Sequence, residues 1–183
     1  RVWHTELGGS RAFAVLYRFE SGVSALAGLS LAVGLALARA LNRHAASPVA
    51  LKWPNDLVFG AQKLGGVLVE VQGDMDGPAL AVVGVGLNLR LSPARLVAID
   101  QPVIDLAGLG GAVDRNQLLA DCLTELHGVL ATFRAAGFAA LRDDWMALDA
   151  YRELPVRLLR GELESIFGTV AGVDVDGALL LRD

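Results

Sequence analysis

The chain has 183 residues, of which 54% are hydrophobic and 20% are charged, and its formal net charge is −4. This composition predicts a well-packed globular core and excludes an intrinsically disordered chain. The acidic balance argues against a protein that binds nucleic acid through a broad basic surface, but it allows a local basic pocket.

The first elements in chain order are a strand and a long apolar helix. Residues 13–19 (FAVLYRF) are apolar and aromatic, which predicts a strand, and residues 24–43 are alanine-rich, which predicts a helix. The apolar stretch 23–41 is about as long as a membrane span. Because it contains serine and glycine and runs into Arg39, we interpret it as a buried helix of a soluble protein.

Apolar strands follow this helix. Residues 49–53 predict a buried strand, and residues 57–59 and 63–71 predict a hairpin that turns at 60–62. Residues 79–89 (ALAVVGVGLNL) predict a further buried strand. Apolar strands joined by hairpins, with helices bunched before and after them, favour an α+β fold over alternating βαβ units.

Helices are predicted again in the second half of the chain. Residues 92–111 are loop-like. Asp114 is a suitable N-cap for a helix over 115–136, and Gly137 is a suitable residue to end it. A shorter helix is predicted over 138–148.

The last thirty residues predict short strands at 155–159, 166–171 and 178–181, with a tight turn at residues 176–177 (Asp-Gly). So few residues cannot bury a core of their own. We therefore expect a main domain over 1–153 and, over 154–183, part of a small β-barrel that docks on it.

The single cysteine, Cys122, lies within a leucine-rich helical pattern and permits no internal disulfide. We expect a buried thiol and a protein of a reducing compartment, the cytoplasm. The histidines His4, His44 and His127 are scattered, and their spacing predicts no metal site.

Residues 52–56 (KWPND) form the most polar cluster, and they directly follow an apolar run. Trp53 precedes a proline and so favours an extended backbone, while Pro54 ends or distorts a strand ladder. Asn55 and Asp56 favour a turn. Lys52 would thus end a buried strand and aim its ammonium group at an anion, the alternative being a solvated strand end.

Two further clusters contain glycines within predicted strands. Lys63 is followed by Gly65 and Gly66, and residues 84–88 read GVGLN. Glycine inside a strand marks a bulge or a place where a ligand touches the backbone. Alternate glycines leave one sheet face bare, where a flat ligand could lie with Asn88 reading its edge. A plain bulge, and tight packing of a helix on bare sheet, are the structural alternatives.

The fourth cluster opens the chain. Arg1 could contact a phosphate or a carboxylate, and Trp3 could stack on or cover a ligand. The alternative is a frayed terminus.

Together these clusters resemble the biotin protein ligases, and most of all the bacterial BirA type. The matching motifs are R-V-W at 1–3, K-W-P-N-D-L at 52–57, K-L-G-G-V-L-V-E at 63–70 and G-V-G-L-N at 84–88. The tail resembles the SH3-like C-terminal domain of that family. The resemblance implies a catalytic domain similar to class II aminoacyl-tRNA synthetases, with an antiparallel-rich sheet and flanking helices.

The resemblance also implies a reaction in two steps. Biotin attacks the α-phosphate of ATP, with Mg²⁺, to give biotinyl-5′-AMP and pyrophosphate. A lysine of a biotin carboxyl carrier protein then attacks the mixed anhydride and releases AMP. By resemblance alone, a homodimer through a sheet edge is also expected.

The resemblance assigns roles to individual residues. Lys52 would contact the biotin carboxylate and the bridging phosphoryl group, Arg1 would lie on the phosphate side, and Trp3 would cover the adenylate. Asn88 would lie near adenine. The complete predicted site comprises two residues in catalysis, Lys52 and Arg1, and the binding residues Arg1, Trp3, Lys52, Asn55, Lys63, Gly65, Gly66, Gly86 and Asn88.

The chain departs from the family at its start, because it begins at Arg1 and not at Met. The family's Ser/Thr-Asn strand and glycine/arginine-rich ligand loop would precede Arg1, so we expect the chain to be a fragment. Nothing in these residues supports DNA binding. Two alternatives stay open, a biotinyl-AMP-binding sensor without ligase activity and a lipoate ligase of the same fold.

Overall fold

A computed structural model describes residues 8–110, 114–160 and 164–183 of the chain. Its larger sheet has five antiparallel strands in the order β1-β5-β4-β3-β2. These strands are β1 (Ser10–Phe19), β2 (Ala50–Lys52), β3 (Asp56–Phe59), β4 (Gln62–Gly73) and β5 (Ala79–Asn88).

Within the described ranges, four α-helices accompany this sheet, and the first of them packs directly on it. They are α1 (Leu29–Leu41), α2 (Pro93–Ala98), α3 (Arg115–Ala136) and α4 (Arg142–Ala147), with short 3₁₀ helices at Val23–Leu26 and Phe138–Leu141. A smaller antiparallel sheet of β6 (Pro155–Arg160), β7 (Glu164–Val173) and β8 (Leu179–Arg182) follows. The α+β prediction is confirmed, while the described part of the tail forms an open three-stranded sheet and not a closed barrel.

The long apolar helix is shorter than predicted because it is interrupted at Gly28. Gly28 has a left-handed backbone, with φ of 78°, and a Cβ there would lie 2.6 Å from the Cβ of Phe138. Only glycine suits both conditions, so α1 begins after it. The stretch Val23–Leu41 is long and apolar enough to cross a membrane, but 61% of it is buried within the protein, in keeping with the prediction of a core helix.

Other boundaries differ locally from the predictions. The strand predicted over 49–53 ends at Lys52, before a cis Trp53–Pro54 peptide bond. The loop predicted over 92–111 contains α2, whose N-cap Ser92 accepts a hydrogen bond from the Arg95 amide. The helix predicted over 138–148 divides into a 3₁₀ turn and α4.

The longest helix agrees with its prediction at both ends. Asp114 accepts hydrogen bonds from the amides of Asn116, at 2.7 Å, and Gln117, at 3.1 Å. These bonds stabilise the carboxylate and lower the pKa of Asp114. Gly137 ends the helix, and Cys122 is buried within it, where loss of solvation raises the pKa of the thiol to about 11.

Candidate functional site

One row of residues crosses the outer face of the large sheet, opposite the face that contributes to the hydrophobic core. Cross-strand partners point to the same face of a sheet. Ala12 pairs with Gly86, Gly86 with Gly66, Gly66 with Asp56 and Asp56 with Lys52. The register therefore aligns two of the predicted glycines with both charged ends of the KWPND segment.

A second, apolar row lies beside the first. Gly84 pairs with Ala14 on one side and with Leu68 on the other. Leu68 is 61% exposed and Leu16, one row further, is 66% exposed. We call Gly66 and Gly84, which are partly exposed, and Gly86, which is buried, the glycine floor. Bare backbone flanked by exposed apolar side chains is a surface on which a flat, largely apolar ligand can lie.

A charged pair borders the glycine floor. The Lys63 ammonium forms an ion pair with Asp56, and both side chains are mostly buried, with exposures of 15% and 12%. A Cβ built on Gly66 would lie 3.3 Å from Lys63 Nζ and 3.5 Å from Asp56 Oδ1. The space above Gly66 is therefore next to the ammonium group of Lys63, which Asp56 holds in place.

The backbone of Lys63 is held from both sides. Its amide donates to the carbonyl of Pro102, at 2.9 Å, and its carbonyl accepts from the amide of Ile104, at 3.0 Å. Asn88, which is only 4% exposed, donates from Nδ2 to the carbonyls of Ile104, at 3.2 Å, and of Lys63, at 3.4 Å. Asn88 therefore secures the segment that carries the lysine.

The paired glycines of the sequence lie on opposite faces. Gly65 pairs with Leu87 and points into the core, where a Cβ would lie 2.6 Å from the Gly86 carbonyl oxygen and 2.8 Å from Leu87 Cδ2. Gly66 faces the other way and belongs to the glycine floor. The structure pairs the partly exposed Gly66 with the buried Gly86 on the outer face and assigns Gly65 to tight packing.

Lys52 lies at the far end of the first row, and its ammonium group points towards the ring of Tyr151. Its Nζ lies 5.3 Å from the centre of the Tyr151 ring, a cation–π distance. Both residues line a cleft of about 320 Å³ between the large sheet and the small one. We call this space the inter-sheet cleft.

Asp149 also lines the inter-sheet cleft. Its Oδ1 accepts a hydrogen bond from the Tyr151 amide at 3.0 Å, while its Oδ2 is buried and has no hydrogen-bond partner within the described ranges. Burial raises the pKa of this carboxyl, because removal from water disfavours the charged form.

Trp53 and Asn55 of the KWPND segment hold the turn between β2 and β3 in place. The Trp53 indole donates to the carbonyl of Gly177, in the turn between β7 and β8 of the small sheet, at 3.0 Å. Asn55 Nδ2 donates to the Val67 carbonyl at 2.7 Å, and the Val67 amide donates back to the Asn55 carbonyl at 2.9 Å. Asn55 thus clamps the turn to β4, and Trp53 ties it to the small sheet.

Two predicted site residues, Arg1 and Trp3, lie outside the described residues. Within the described ranges, no three histidine, cysteine, aspartate or glutamate side chains converge as a metal site. Two features of the site were not predicted from the sequence. They are the ion pair of Asp56 with Lys63 and the apolar row at Leu68. The even spacing of 66 and 68 along one strand was the available signal for the second.

Comparison with known proteins places these features in a family. A model of the biotin/lipoate A/B protein ligase family matches residues 1–88. The bifunctional ligase/repressor BirA of Escherichia coli is 37% identical over 182 residues, covering 100% of this chain and 56% of the relative. The biotin–[acetyl-CoA-carboxylase] ligase of Paracoccus denitrificans is 35% identical, covering 95% of this chain and 74% of the relative.

Solved structures agree with the sequence relatives. The crystal structure of biotin protein ligase from Aquifex aeolicus has a TM-score of 0.79 and 28% identity, covering 94% of this chain and 74% of that one. The same ligase in complex with biotin and ATP has a TM-score of 0.76 and 28% identity, with coverages of 94% and 71%. The chain spans about half the length of the BirA proteins that it matches.

Proposed function

We propose, on the premise that the chain belongs to the biotin protein ligase family, that it forms the catalytic region of an ATP-dependent ligase. The ligase joins biotin to a lysine of a biotin carboxyl carrier protein. The observation that carries the proposal is the glycine floor, three glycines on one face of the sheet that present no side chain and are bordered by the ion pair of Lys63 with Asp56.

The floor suits the ring system of biotin. A flat ring can lie against Gly66, Gly84 and Gly86 because no side chain rises from them, and Leu68 offers an apolar wall. The carboxylate of the ligand's tail would then point towards the charged border of the floor, where Lys63 lies.

Adenylation needs a positive charge at the border of the floor. Joining a carboxylate to a phosphate brings two anions together, and charge builds up on the phosphorus in the transition state. Two lysines are available, and the geometry favours Lys63 over the predicted Lys52. Lys63 Nζ borders Gly66, whereas Lys52 Nζ faces Tyr151. The role predicted for Lys52 stays a prediction to be tested against Lys63.

Asp56 holds the ammonium of Lys63 beside the floor in the free protein. Mg²⁺, which neutralises phosphate charge, is usually held by one or two carboxylates together with the phosphates of the substrate. Asp56 is the carboxylate in the described ranges that lies at this border, and it fits that part of the requirement.

In the second step, a neutral lysine amine of the carrier attacks the biotinyl carbonyl carbon. A nitrogen–carbon bond forms, the carbon–oxygen bond to the phosphate breaks, AMP leaves, and the amine releases a proton to solvent. No side-chain nucleophile is required, because positioning and electrostatics supply the catalysis.

Asn88 and the first residues of the chain complete the proposal. The Nδ2 hydrogens of Asn88 are used by two carbonyls, so its Oδ1 is the atom to accept a hydrogen bond from the adenine amino group. Arg1 and Trp3 keep their proposed places on the phosphate side and over the adenylate, supported by the family resemblance.

The finer structural expectations belong to the same proposal. They are a class II synthetase-like catalytic domain over 1–153, an SH3-like domain that includes 154–183, a sheet-edge homodimer and a cytoplasmic location. Family resemblance supports them. The proposal does not extend to DNA binding.

The test separates three functions. The protein is incubated with Mg²⁺, ATP and either biotin or lipoate, and the acyl-adenylate is measured by mass spectrometry. Labelled biotin is then followed into the carrier domain of an acetyl-CoA carboxylase. Adenylate with biotin and transfer to the carrier are the expected results. Adenylate without transfer would indicate a sensor, and preference for lipoate would indicate a lipoate ligase.

A further inference from the structure

The first strand of the large sheet begins at the nucleotide end of the proposed site. Ser10, the first residue of β1, pairs with Asn88, the last residue of β5. The row of Gly84 and Leu68, where the ring of biotin is proposed to lie, is four residues further along these strands, or about 14 Å away. A displacement at Ser10 would therefore disturb the place proposed for adenine more than the place proposed for biotin.

Hydrogen bonds from outside the strand hold the backbone at the start of β1. Arg115, the first residue of α3, donates from Nη2 to the carbonyl of Ser10, at 2.9 Å, and from Nη1 to the carbonyl of Gly8. The carbonyl of the residue between them accepts from the amides of Leu89 and Arg90, both at 2.9 Å. Three successive carbonyls are thus bound, and one guanidinium group binds two of them.

Arg115 is itself held in place by the helix that it begins. Asp114 caps α3, and Leu118 and Cys122 fix the first turns of the helix in the hydrophobic core. The carbonyl of Arg115 accepts a hydrogen bond from Arg11 Nη2, at 2.9 Å, so the strand and the helix are bonded in both directions. Because a guanidinium group is planar and its donors have fixed directions, Arg115 transmits the position of α3 to the start of β1.

The positive charge of Arg115 suggests a different role, direct attraction of the ATP phosphates. Neither Arg11 nor Arg115 forms an ion pair with an acidic side chain in the part of the chain that the structure describes. Both Nη atoms of Arg115, however, already donate to backbone carbonyls. The geometry therefore favours a role in holding the backbone over a role in binding phosphate.

We propose that Arg115 is a positioning residue for the nucleotide half of the site. By holding the start of β1 against α3, it keeps Ser10 beside Asn88 and fixes the point from which the chain runs back to Trp3 and Arg1. This inference rests on the proposed function. It concerns the binding of ATP and the retention of biotinyl-AMP, and not the binding of biotin.

The experiment compares Arg115→Lys and Arg115→Gln with a control, Arg134→Gln. Arg134 is exposed at the other end of α3. Lysine keeps the charge of Arg115 but lacks the fork of donors that binds two carbonyls. Three quantities are measured on the full-length protein. They are the affinity for biotin by calorimetry, the KM for ATP in adenylate formation, and the rate at which preformed biotinyl-AMP is released.

Both Arg115 variants should raise the KM for ATP and the release rate of biotinyl-AMP about tenfold or more, because a misplacement of about 1 Å can cost a hundredfold in a site that depends on positioning. The affinity for biotin should stay within about twofold of wild type, and the control should match wild type in all three measurements.

Four other outcomes would contradict these expectations. Wild-type values in both Arg115 variants would overturn the inference, and so would a normal Arg115→Lys beside an impaired Arg115→Gln, because charge would then be the cause. Equal losses of biotin and ATP binding, with a lower temperature of thermal unfolding, would assign Arg115 to general stability and also overturn it. Absence of adenylate with the wild type would reject the proposed function itself.

Discussion

The two faces of the five-stranded sheet are made by alternate residues of the same strands, yet one is packed in the core and the other carries exposed side chains. The inner face, with residues such as Val83 and Leu87, lies in the hydrophobic core together with residues of α1 and α3. The outer face carries the glycine floor, exposed Leu68 and a charged border. The difference shows that one strand can supply both a packed face and an exposed face, because its side chains alternate.

The largest expected effect comes from the cation at the border of the outer face. Lys63→Ala should slow biotinyl-AMP formation by a factor of about 10² to 10³, the usual cost of removing one group that stabilises a developing charge. Lys52→Ala should slow it less than tenfold. Single-turnover adenylation measures both. If Lys52→Ala caused the larger loss, Lys52 would be the catalytic lysine, as its place in the KWPND segment first suggested.

The adjacent glycines give the sharpest contrast between the faces. Gly65→Ala places a methyl group against Leu87 and the Gly86 carbonyl, so we expect a loss of about 1–3 kcal/mol in the free energy of unfolding. Gly66→Ala should change stability less but weaken biotin binding. Denaturant unfolding and biotin titration give the two readouts. Equal effects of both substitutions on both readouts would refute the division between faces.

Asn88 links the outer face to the segment at 102–106. Asn88→Ala removes two hydrogen bonds from a buried amide, and we expect a loss of about 1–2 kcal/mol in stability. If its Oδ1 also contacts adenine, the preference for ATP over GTP should fall. A stability loss with an unchanged ratio of ATP to GTP use would restrict Asn88 to a structural role.

Asp149 gives the smallest expected effect, and it depends on pH. Burial raises its pKa in the folded state, so the protonated form is favoured by folding. This contribution to stability is complete at pH values below the unfolded pKa and is lost as pH rises through the folded pKa. Asp149→Asn should therefore gain stability relative to wild type as pH rises across the acidic range. Urea unfolding at several pH values would detect it, and a constant difference would contradict it.

Much of the fold could be predicted because local signals and burial agree. The Asp114 cap and Gly137 ended the longest helix at its observed residues, and the hairpin turned where glycine allowed it. The predictions of element boundaries failed where contacts between residues distant in sequence set the boundary. Gly28 interrupts the long helix because Phe138, 110 positions later, packs against it, and no local pattern carries that information.

The candidate site also combines features that the sequence predicted with features that depend on the tertiary structure. The residue types of the site, a lysine after a strand, paired glycines and alternate glycines, were evident from the sequence and sufficed to indicate the family. Which lysine borders the floor depends on a register shift between β3 and β4 at Leu57, and the pairing of Gly66 with Gly86 decides which of the paired glycines belongs to it. A shift of one residue exchanges the faces of a strand. The sequence by itself therefore determined the chemical groups that the protein has, and only the tertiary structure decided which of them meet.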